Sequence, residues 1–298
     1  MSSKKLSFPA YKLLDSGNCR KLEQVGRFRV IRPALNAFWE PSLPESEWKR
    51  ADALFERDSE GAGHWRWFRG SPPDISEEWA VSWGGVNLSI KPTQFGHLGF
   101  FAEQAANWEW LRNRVSQIQE KTGNQARTLN LFAYSGGATL AMAQAGAECC
   151  HLDSSKGIIE WAKKNQLLNP ETNNKVRWIC DDAMKFVARE QRRGSKYNGI
   201  VLDPPSFGRG TQGQVWKIEE GIAEMLQTCI GILDTQKPFF VLLSCHSQGF
   251  SPVSLNRSLA QALSDKKIIC ETGEMVIPEE NGNMLPAGLY ARVSSGMR

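Results

Sequence analysis

The chain has 298 residues, 41% of them hydrophobic and 23% charged, and this globular composition excludes a largely disordered protein. No apolar run approaches the roughly 18 residues of a membrane-spanning helix, and the seven cysteines form no C-x-x-C pair, so we expect a cytoplasmic protein with no membrane partner and no bound metal. The net charge of +4 is too small to indicate a nucleic-acid-binding protein by itself, although residues 1–32 hold eight basic and two acidic side chains.

Residues 1–93 are predicted to form a small α+β domain. A hairpin is expected around residues 16–18, and it is followed by the strand GRFRVIR, in which Arg27 and Arg29 would share one face. Two interpretations of these arginines stay open, contact with RNA phosphates and an ordinary solvated surface. The next segment, ESEWKRADALFE (45–56), has the spacing of a helix, and further extended segments complete the domain.

From about residue 128 onward, strands and helices alternate regularly. Strands that alternate with helices of about 10–15 residues are typical of a parallel, doubly wound sheet. We therefore expect an α/β domain over residues 94–298, with a helix at 103–120 packed on its sheet. The predicted strands are 128–134, 148–153, 176–180, 199–203 and 239–244, with two more joined by the loop 278–287, and the predicted helices are 138–145, 155–168, 183–191 and 216–232.

Three of the predicted strand ends carry residues that suit a ligand, which in open parallel sheets binds outside the carboxyl ends of the strands. The first strand ends at Tyr134 and enters a helix through Ser-Gly-Gly, where the glycines let the backbone approach a ligand. The chain has neither the G-x-G-x-x-G fingerprint of dinucleotide-binding proteins nor a P-loop. Asp153 ends the second strand, where it could hold a ribose or cap the following helix. Asp182 follows the third strand, where it could bind an adenine amine or cap a helix.

The next two strand ends carry side chains suited to a planar base. The fourth strand runs into DPPSF (203–207), in which the prolines fix the chain, Asp203 offers a carboxylate and Phe207 offers a stacking surface. The fifth strand ends in SCHSQGF (244–250), which brings a cysteine to the same edge. Cys245 is either a nucleophile or a small buried residue at the end of a strand.

Along the chain, the strand ends carry YSGG, Asp153, DDA (181–183) and DPPSF, in this order. This set resembles the motifs of class I S-adenosylmethionine-dependent methyltransferases. More narrowly, the chain resembles the bacterial methyltransferases of 23S ribosomal RNA, whose motifs read LxxFxYTGG, VDxS, DDxF and DPPxF, without their N-terminal RNA-binding barrel. The resemblance covers about residues 94 to 294. It implies a Rossmann-like, seven-stranded sheet, S-adenosylmethionine as the cofactor and RNA as the partner.

The resemblance also implies a set of cofactor-binding residues. Asp153 would hold the ribose, and Asp182 the adenine. Gln104, in QFGHLGFFAEQ, falls on a glutamine in the family segment that folds over the cofactor, whereas Ala105 replaces the arginine that usually follows. The other positions that would line the cofactor pocket are Phe132, Tyr134, Gly136, Gly137, Ala183 and Asp203.

The resemblance implies that the target base lies against Pro204, Pro205 and Phe207. It leaves two candidates for the atom of the base that accepts the methyl group. Pyrimidine C5 becomes nucleophilic only after a thiolate adds at C6, so C5 methylation would make Cys245 and Asp203 catalytic. Relatives that methylate a guanine nitrogen need no such cysteine and read SxxxxGF, which this chain also fits. We predict a 23S rRNA cytosine-C5 methyltransferase; the alternatives are a guanine-N methyltransferase without covalent catalysis and a non-catalytic, cofactor-binding RNA or ribosome-assembly protein.

Overall fold

The computed structural model describes residues 8–58, 62–68, 79–209, 215–264 and 270–297. The chain divides into two compact units. The first comprises Met1–Ala105 and Val276–Ala287, and the second comprises Ala106–Met275 and Gly288–Arg298. The first unit therefore extends past residue 93, where the sequence places the domain boundary, and it also includes a segment from near the end of the chain.

The first unit is built on a five-stranded sheet, whose strands are β1 (Tyr11–Gly17), β2 (Arg20–Val25), β3 (Phe28–Pro33), β4 (Ala53–Arg57) and β5 (Gly63–Trp67). The strands lie in sequence order. All neighbours are antiparallel except β3 and β4, which are parallel and are joined through the short helix α1 (Glu45–Trp48). A separate hairpin consists of β6 (Ala80–Trp83) and β7 (Val86–Ser89).

The predicted helix over 45–56 is wrong for most of its length. The helix ends at Trp48, and the residues from Ala53 onward form β4, which pairs with strands on both sides. The spacing of Trp48, Ala51 and Phe55 reflects burial rather than helical periodicity, because all three side chains are buried. Backbone pairing with β3 and β5 overrides the local pattern here.

The second unit confirms the predicted Rossmann-like α/β fold. The strands from residue 127 onward are β8 (Arg127–Leu131), β9 (Glu148–Asp153), β10 (Val176–Cys180), β11 (Gly199–Leu202), β12 (Phe207–Arg209), β13 (Val215–Lys217), β14 (Phe239–Cys245), β15 (Glu271–Pro278) and β16 (Met284–Ser295), of which β12 and β13 form a separate hairpin. The large sheet has the strand order β10-β9-β8-β11-β14-β16-β15. The first five strands in this order are parallel, and β16 is antiparallel to β14.

Helices cover both faces of this sheet, as expected for a doubly wound fold. They are α2 (Ala105–Thr122), α3 (Gly137–Gln144), α4 (Lys156–Leu167), α5 (Ala183–Arg192), α6 (Ile218–Gly231) and α7 (Pro252–Leu263). Along β14, Phe240 and Leu242 join a hydrophobic cluster with α2 and α3, whereas Val241 and Leu243 join a second cluster with α5, α6 and α7. This alternation places an apolar core on each face and leaves the strand ends for ligands.

None of the helices in the part of the chain that the structure describes is both long enough and apolar enough to cross a membrane.

Candidate functional site

The loop that follows β8 has an unusual backbone. Phe132, Tyr134 and Gly136 all have positive φ angles, of 55°, 49° and 95°. Side chains other than glycine rarely adopt this conformation, and such strain is concentrated at functional sites. The end of β9 holds the loop in place, because Tyr134 N donates to Asp153 Oδ2 (3.1 Å) and Ala133 N donates to the carbonyl of Leu152 (3.0 Å). The predicted cofactor loop is therefore fixed against the strand that carries Asp153.

Gly137, the first residue of α3, lies under the ring of Trp108 from α2. A Cβ atom at this position would be 2.3 Å from Trp108 Cζ2, which leaves no space for a side chain. The glycine therefore allows α2 to pack closely over the start of α3. From the sequence we predict that this glycine lets the backbone come close to a ligand. The structure shows that it also allows close packing of Trp108.

We expect Gly137→Ala to destabilise the protein by ~1–3 kcal/mol, because the indole ring must move to admit the methyl group. The measurement is urea-induced unfolding. Gly157→Ala in α4 is the matched control, since a Cβ there would meet nothing within 4 Å. The control should be neutral or stabilising by up to ~1 kcal/mol. Equal stability of the two variants would show that Trp108 does not constrain Gly137.

Asp153 lies at the carboxyl end of β9 with a half-buried side chain. Its two carboxylate oxygens accept hydrogen bonds from the backbone N–H groups of Tyr134 (3.1 Å) and Ser155 (2.9 Å). Burial raises the pKa of Asp153, and these backbone donors oppose that shift. The N-cap of α4 is Ser155, which accepts from Ile158 N. The helix-cap interpretation of Asp153 is therefore wrong, and its binding of the ribose stays a prediction.

Asp182, by contrast, is a helix cap. It has extended backbone angles and is the N-cap of α5, where Oδ1 accepts from Lys185 N (2.9 Å). Ala183 is the buried first residue of the same helix. The neighbouring Asp181 is engaged differently, in an ion pair with Arg189. The exposed carboxylate of Asp182 also lies at the strand edge, so its binding of adenine stays a prediction beside the cap.

A buried polar network lies beneath this edge of the sheet, and the sequence analysis missed it. Asn130 Nδ2 donates to Thr139 Oγ1 (2.9 Å), and this hydroxyl is 2.9 Å from His151 Nδ1. Burial lowers the pKa of His151 to about 3, so the imidazole is neutral at physiological pH. The network joins β8, α3 and β9, the three elements around the strained loop. The sequence does contain a signal for this network, because Asn130 and His151 are polar residues inside predicted strands.

The DPPSF segment adjoins the end of β14. His246 Nε2 is 3.5 Å from Asp203 Oδ1, and the Ser247 hydroxyl donates to Ser206 Oγ (2.6 Å). Pro204 is buried, whereas Pro205 and Phe207 are exposed, and Phe207 is 54% accessible. These contacts join the fourth and fifth strand ends, as the sequence predicts.

The hairpin of β12 and β13 continues from DPPSF and was not predicted. Trp216 Nε1 donates to the carbonyl of Pro205 (2.8 Å), and the Trp216 ring lies 5.8 Å from the ring of Phe132. The hairpin therefore connects the DPPSF turn with the strained loop after β8. The predicted residues Phe132 and Pro205 thus lie at a common edge of the sheet.

Cys245 is the last residue of β14, and its side chain is fully buried. Burial raises the pKa of its thiol, and the nearby carboxylate of Asp203 adds to the shift. The backbone N–H and the hydroxyl of Ser247 hydrogen-bond to the sulfur and act in the opposite direction, since they stabilise a thiolate. Cys245 is thus a protonated thiol beside two donors that would favour its ionised form.

Three predicted site residues belong to the first unit. Gln104 is buried in a 3-10 turn, Ala102–Gln104. Arg27 lies in the turn between β2 and β3, not on a strand with Arg29, and its guanidinium lies over the ring of Phe28. Arg29 is bound to Glu47 (3.0 Å). The prediction that the two arginines share a strand face is wrong; their contact with RNA stays a prediction.

The second unit therefore offers a strained loop, with carboxylates at the ends of β9 and β10 beside it. A carboxylate at the end of the second strand of such a sheet suits the hydroxyl groups of a ribose, and the loop backbone suits a close ligand contact. The residues present fit a cofactor that contains a nucleoside.

Comparison with known proteins agrees with this site. The family described as S-adenosylmethionine-dependent methyltransferase matches residues 57–229, more than half of the chain. Similar curated proteins include ribosomal RNA large subunit methyltransferase I of Tolumonas auensis, 30% identical over 161 residues, and that of Yersinia pseudotuberculosis, 27% identical over 187 residues. These matches cover 54% and 62% of this chain but only 36% and 44% of the relatives, so the chain spans less than half of their length.

Solved structures give the same result over nearly the whole chain. A crystal structure of a methyltransferase from Agrobacterium tumefaciens is 37% identical, with a TM-score of 0.86, and the match covers 97% of this chain and 96% of that one. A methyltransferase structure complexed with SAH matches with a TM-score of 0.71 over 97% of this chain and 76% of that chain; at 14% identity this shows the fold alone. The chain belongs to the S-adenosylmethionine-dependent methyltransferases.

Proposed function

We propose that the protein methylates a base of 23S ribosomal RNA, and that the acceptor is carbon 5 of a cytosine. One observation carries the proposal: DPPSF and Cys245 meet at one sheet edge, where Ser247 and Ser206 are hydrogen-bonded at 2.6 Å. A carboxylate, an exposed aromatic ring and a thiol are the groups needed to orient a cytosine and attack it. The names of the curated relatives support ribosomal RNA as the substrate.

S-adenosylmethionine supplies an electrophilic methyl group when it is bound. Three features of the chain would orient this cofactor: the loop after β8, Asp153 and Asp182. In the proposed route the Cys245 thiol would lose its proton to water, and the thiolate would add to C6 and form a C–S bond, while Asp203 supports the protonated N3 of cytosine. The electron pair thereby placed at C5 would form the new C–C bond to the methyl group, and the electrons of the broken sulfur–methyl bond would stay on the departing S-adenosylhomocysteine. The C5 proton then passes to water, and the electrons of the C5–H bond restore the double bond and expel the thiolate.

A guanine nitrogen is the second candidate acceptor, and the burial of Cys245 favours it. A nitrogen lone pair needs no thiolate, so a protonated, buried thiol would be no obstacle. In this route Asp203 and the carbonyl of Pro204 orient the nitrogen, and Phe207 stacks on the base. The cysteine would then be a packing residue between β14 and its neighbours.

Asp153→Ala should weaken the binding of S-adenosylmethionine by about 10- to 100-fold, because a hydrogen bond to a charged acceptor contributes ~1.5–3 kcal/mol. Isothermal titration calorimetry measures the affinity. Glu148→Ala is the matched control, since this exposed carboxylate lies at the opposite end of the same strand. The control should bind the cofactor normally. Normal affinity in a folded Asp153→Ala protein would show that Asp153 does not hold the ribose.

The proposed function is tested by comparing rRNA from cells with and without this protein. Nucleosides from purified 23S rRNA are quantified by mass spectrometry. We expect 5-methylcytosine to fall by one residue per 23S molecule in the deletion strain, and to return on complementation. A loss of an N-methylguanine instead would select the second candidate, and an unchanged nucleoside profile would contradict both.

A further inference from the structure

The first unit contains a cleft of about 200 Å³ whose lining includes none of the strand-end residues described above. It is lined in part by the segment that precedes Gln104. All of its lining residues belong to this unit. Its walls come from β2, β3 and the end of β4, from the loop between Phe95 and Glu103, and from Leu285–Ala287. Pockets for drug-sized ligands have volumes of about 300–1,000 Å³, so this cleft suits one planar ring system rather than a whole cofactor.

Buried charges form the base of the cleft. Arg32 donates to both carboxylate oxygens of Glu23 (2.6 and 2.7 Å), and Lys21 lies 3.2 Å from the same carboxylate. Tyr11 also donates to Glu23 (2.7 Å). Burial lowers the pKa of Lys21, and repulsion from Arg32 adds to this effect. A bound anion would offset that repulsion and stabilise the ammonium group.

The rim of the cleft combines aromatic rings with a cation. Phe95 is 52% accessible, and the rings of His97 and Phe101 pack edge to face at 5.3 Å. Arg57, at the end of β4, is also exposed. The loop that carries Phe95 is anchored to β3, because Arg32 Nη1 donates to the carbonyl of Gly96 (3.0 Å). An exposed ring on a fixed backbone is a suitable platform for stacking a base.

The balance of charge favours an anionic ligand. Three cationic side chains line the cleft, Lys21, Arg32 and Arg57. Two carboxylates oppose them, Glu103 in the lining and the buried Glu23 that binds Lys21 and Arg32, so one positive charge remains in excess. Aromatic rings combined with basic side chains are the usual composition of sites for single-stranded nucleic acid. Arg27 and Arg29, for which contact with RNA is one of two interpretations of the sequence, do not line this cleft.

We propose that this cleft binds one nucleotide of the RNA substrate other than the reacting base. The base stacks on Phe95 beside the His97–Phe101 pair, and its phosphate is held by Arg57 and Lys21. The inference rests on the proposed function, since it takes RNA as the substrate. It adds a second binding position, located in the first unit.

The test measures binding of a fluorescein-labelled, single-stranded RNA fragment of 23S rRNA to the full chain by fluorescence anisotropy. Phe95→Ala should weaken binding by about 5- to 100-fold, the range for the loss of one stacked base. Arg57→Gln should weaken binding and reduce the slope of log affinity against log salt by about 0.7, the value for one phosphate contact on a single strand. Both side chains are exposed, so neither change should affect folding.

Two matched variants control for general effects. Phe38→Ala removes another exposed ring of the first unit, and Arg50→Gln removes another exposed arginine; neither residue lines the cleft. Both should bind RNA as the wild type does. As an independent readout, RNA that contains 4-thiouridine should cross-link to the peptide with Phe95, as mapped by mass spectrometry.

The outcomes separate this inference from the proposed function. Suppose that the wild-type protein binds and methylates RNA. Normal RNA binding by Phe95→Ala and Arg57→Gln would then overturn the proposed nucleotide site in the cleft and leave the proposed function unaffected. Equal losses in the cleft variants and in their matched controls would also overturn it. A wild type that neither binds nor methylates RNA would overturn both.

Discussion

Cys245→Ser should reduce methyl transfer to RNA by on the order of 10³-fold or more, because a serine hydroxyl cannot replace a thiolate in the attack on C6. Cys229→Ser is the matched control: this cysteine is buried in the same hydrophobic cluster but lies on α6. Both variants will lose some stability, but only Cys245→Ser should lose turnover. Binding of S-adenosylmethionine, measured in parallel, shows that the fold and the cofactor site remain intact.

The pH dependence of the reaction provides a second readout of the same residue. A raised thiol pKa favours the neutral form, so the thiolate becomes more abundant as pH rises. The rate of the proposed route should therefore increase between pH 7 and about pH 9, by up to about tenfold per unit. RNA that contains 5-fluorocytosine should also trap a covalent complex, because fluorine cannot leave as a proton does. A serine variant with near wild-type turnover and no trapped complex would end the C5 assignment.

Asp203→Asn should lower turnover by about 10- to 100-fold while cofactor affinity changes much less, because the lost charge supports the protonated base only during the reaction. Steady-state kinetics with saturating S-adenosylmethionine measures this effect in kcat. Asp234→Asn is the matched control, since this carboxylate pairs with Lys237 at a distance of 3.2 Å in the loop before the start of β14, whereas Asp203 adjoins the end of that strand. If both variants retained normal kcat, Asp203 would have no role in the chemistry.

The sequence predicts the second unit well, because its elements are governed by local patterns. β9 and β10 have the predicted bounds, 148–153 and 176–180, since each is a short segment between two helical patterns. The alternation of strands with helices also predicts the parallel orientation of β10, β9, β8, β11 and β14. α7 was missed, although Ser251 begins it with a capping box. The first of the two strands predicted beside the loop 278–287, KIICETGEMVI (267–277), begins outside the described residues, which resume at Cys270.

The first unit was predicted less well, because partners distant in sequence decide its structure. Asp52 accepts from the backbone of Arg29 (2.7 Å), and Glu47 binds the Arg29 side chain, so this arginine is held within the fold. Neither contact of Arg29 could be predicted from the charge pattern of residues 20–32, because Asp52 and Glu47 lie outside that segment. Glu23 and Arg32 likewise form a buried pair that would look like surface charges in the sequence.

The candidate site was predicted at the level of residues but not of contacts. Motif order located Asp153, Asp182 and the DPPSF turn, because strand ends converge at one edge of a parallel sheet. The backbone strain at Phe132 and Tyr134 has no sequence signal, since neither is a glycine. The hydrogen bond between Ser206 and Ser247 joins residues 41 positions apart, and it too could only be seen in the structure.

The most direct test of this account is methyl transfer in vitro. Purified protein is incubated with 23S rRNA from the deletion strain and with S-adenosylmethionine that carries a labelled methyl group, and the RNA is then digested to nucleosides for mass spectrometry. We expect the label in 5-methylcytosine, at one site per RNA molecule, and none with the Cys245→Ser protein. Label in no RNA nucleoside, under conditions in which the protein binds its cofactor, would contradict RNA as the substrate.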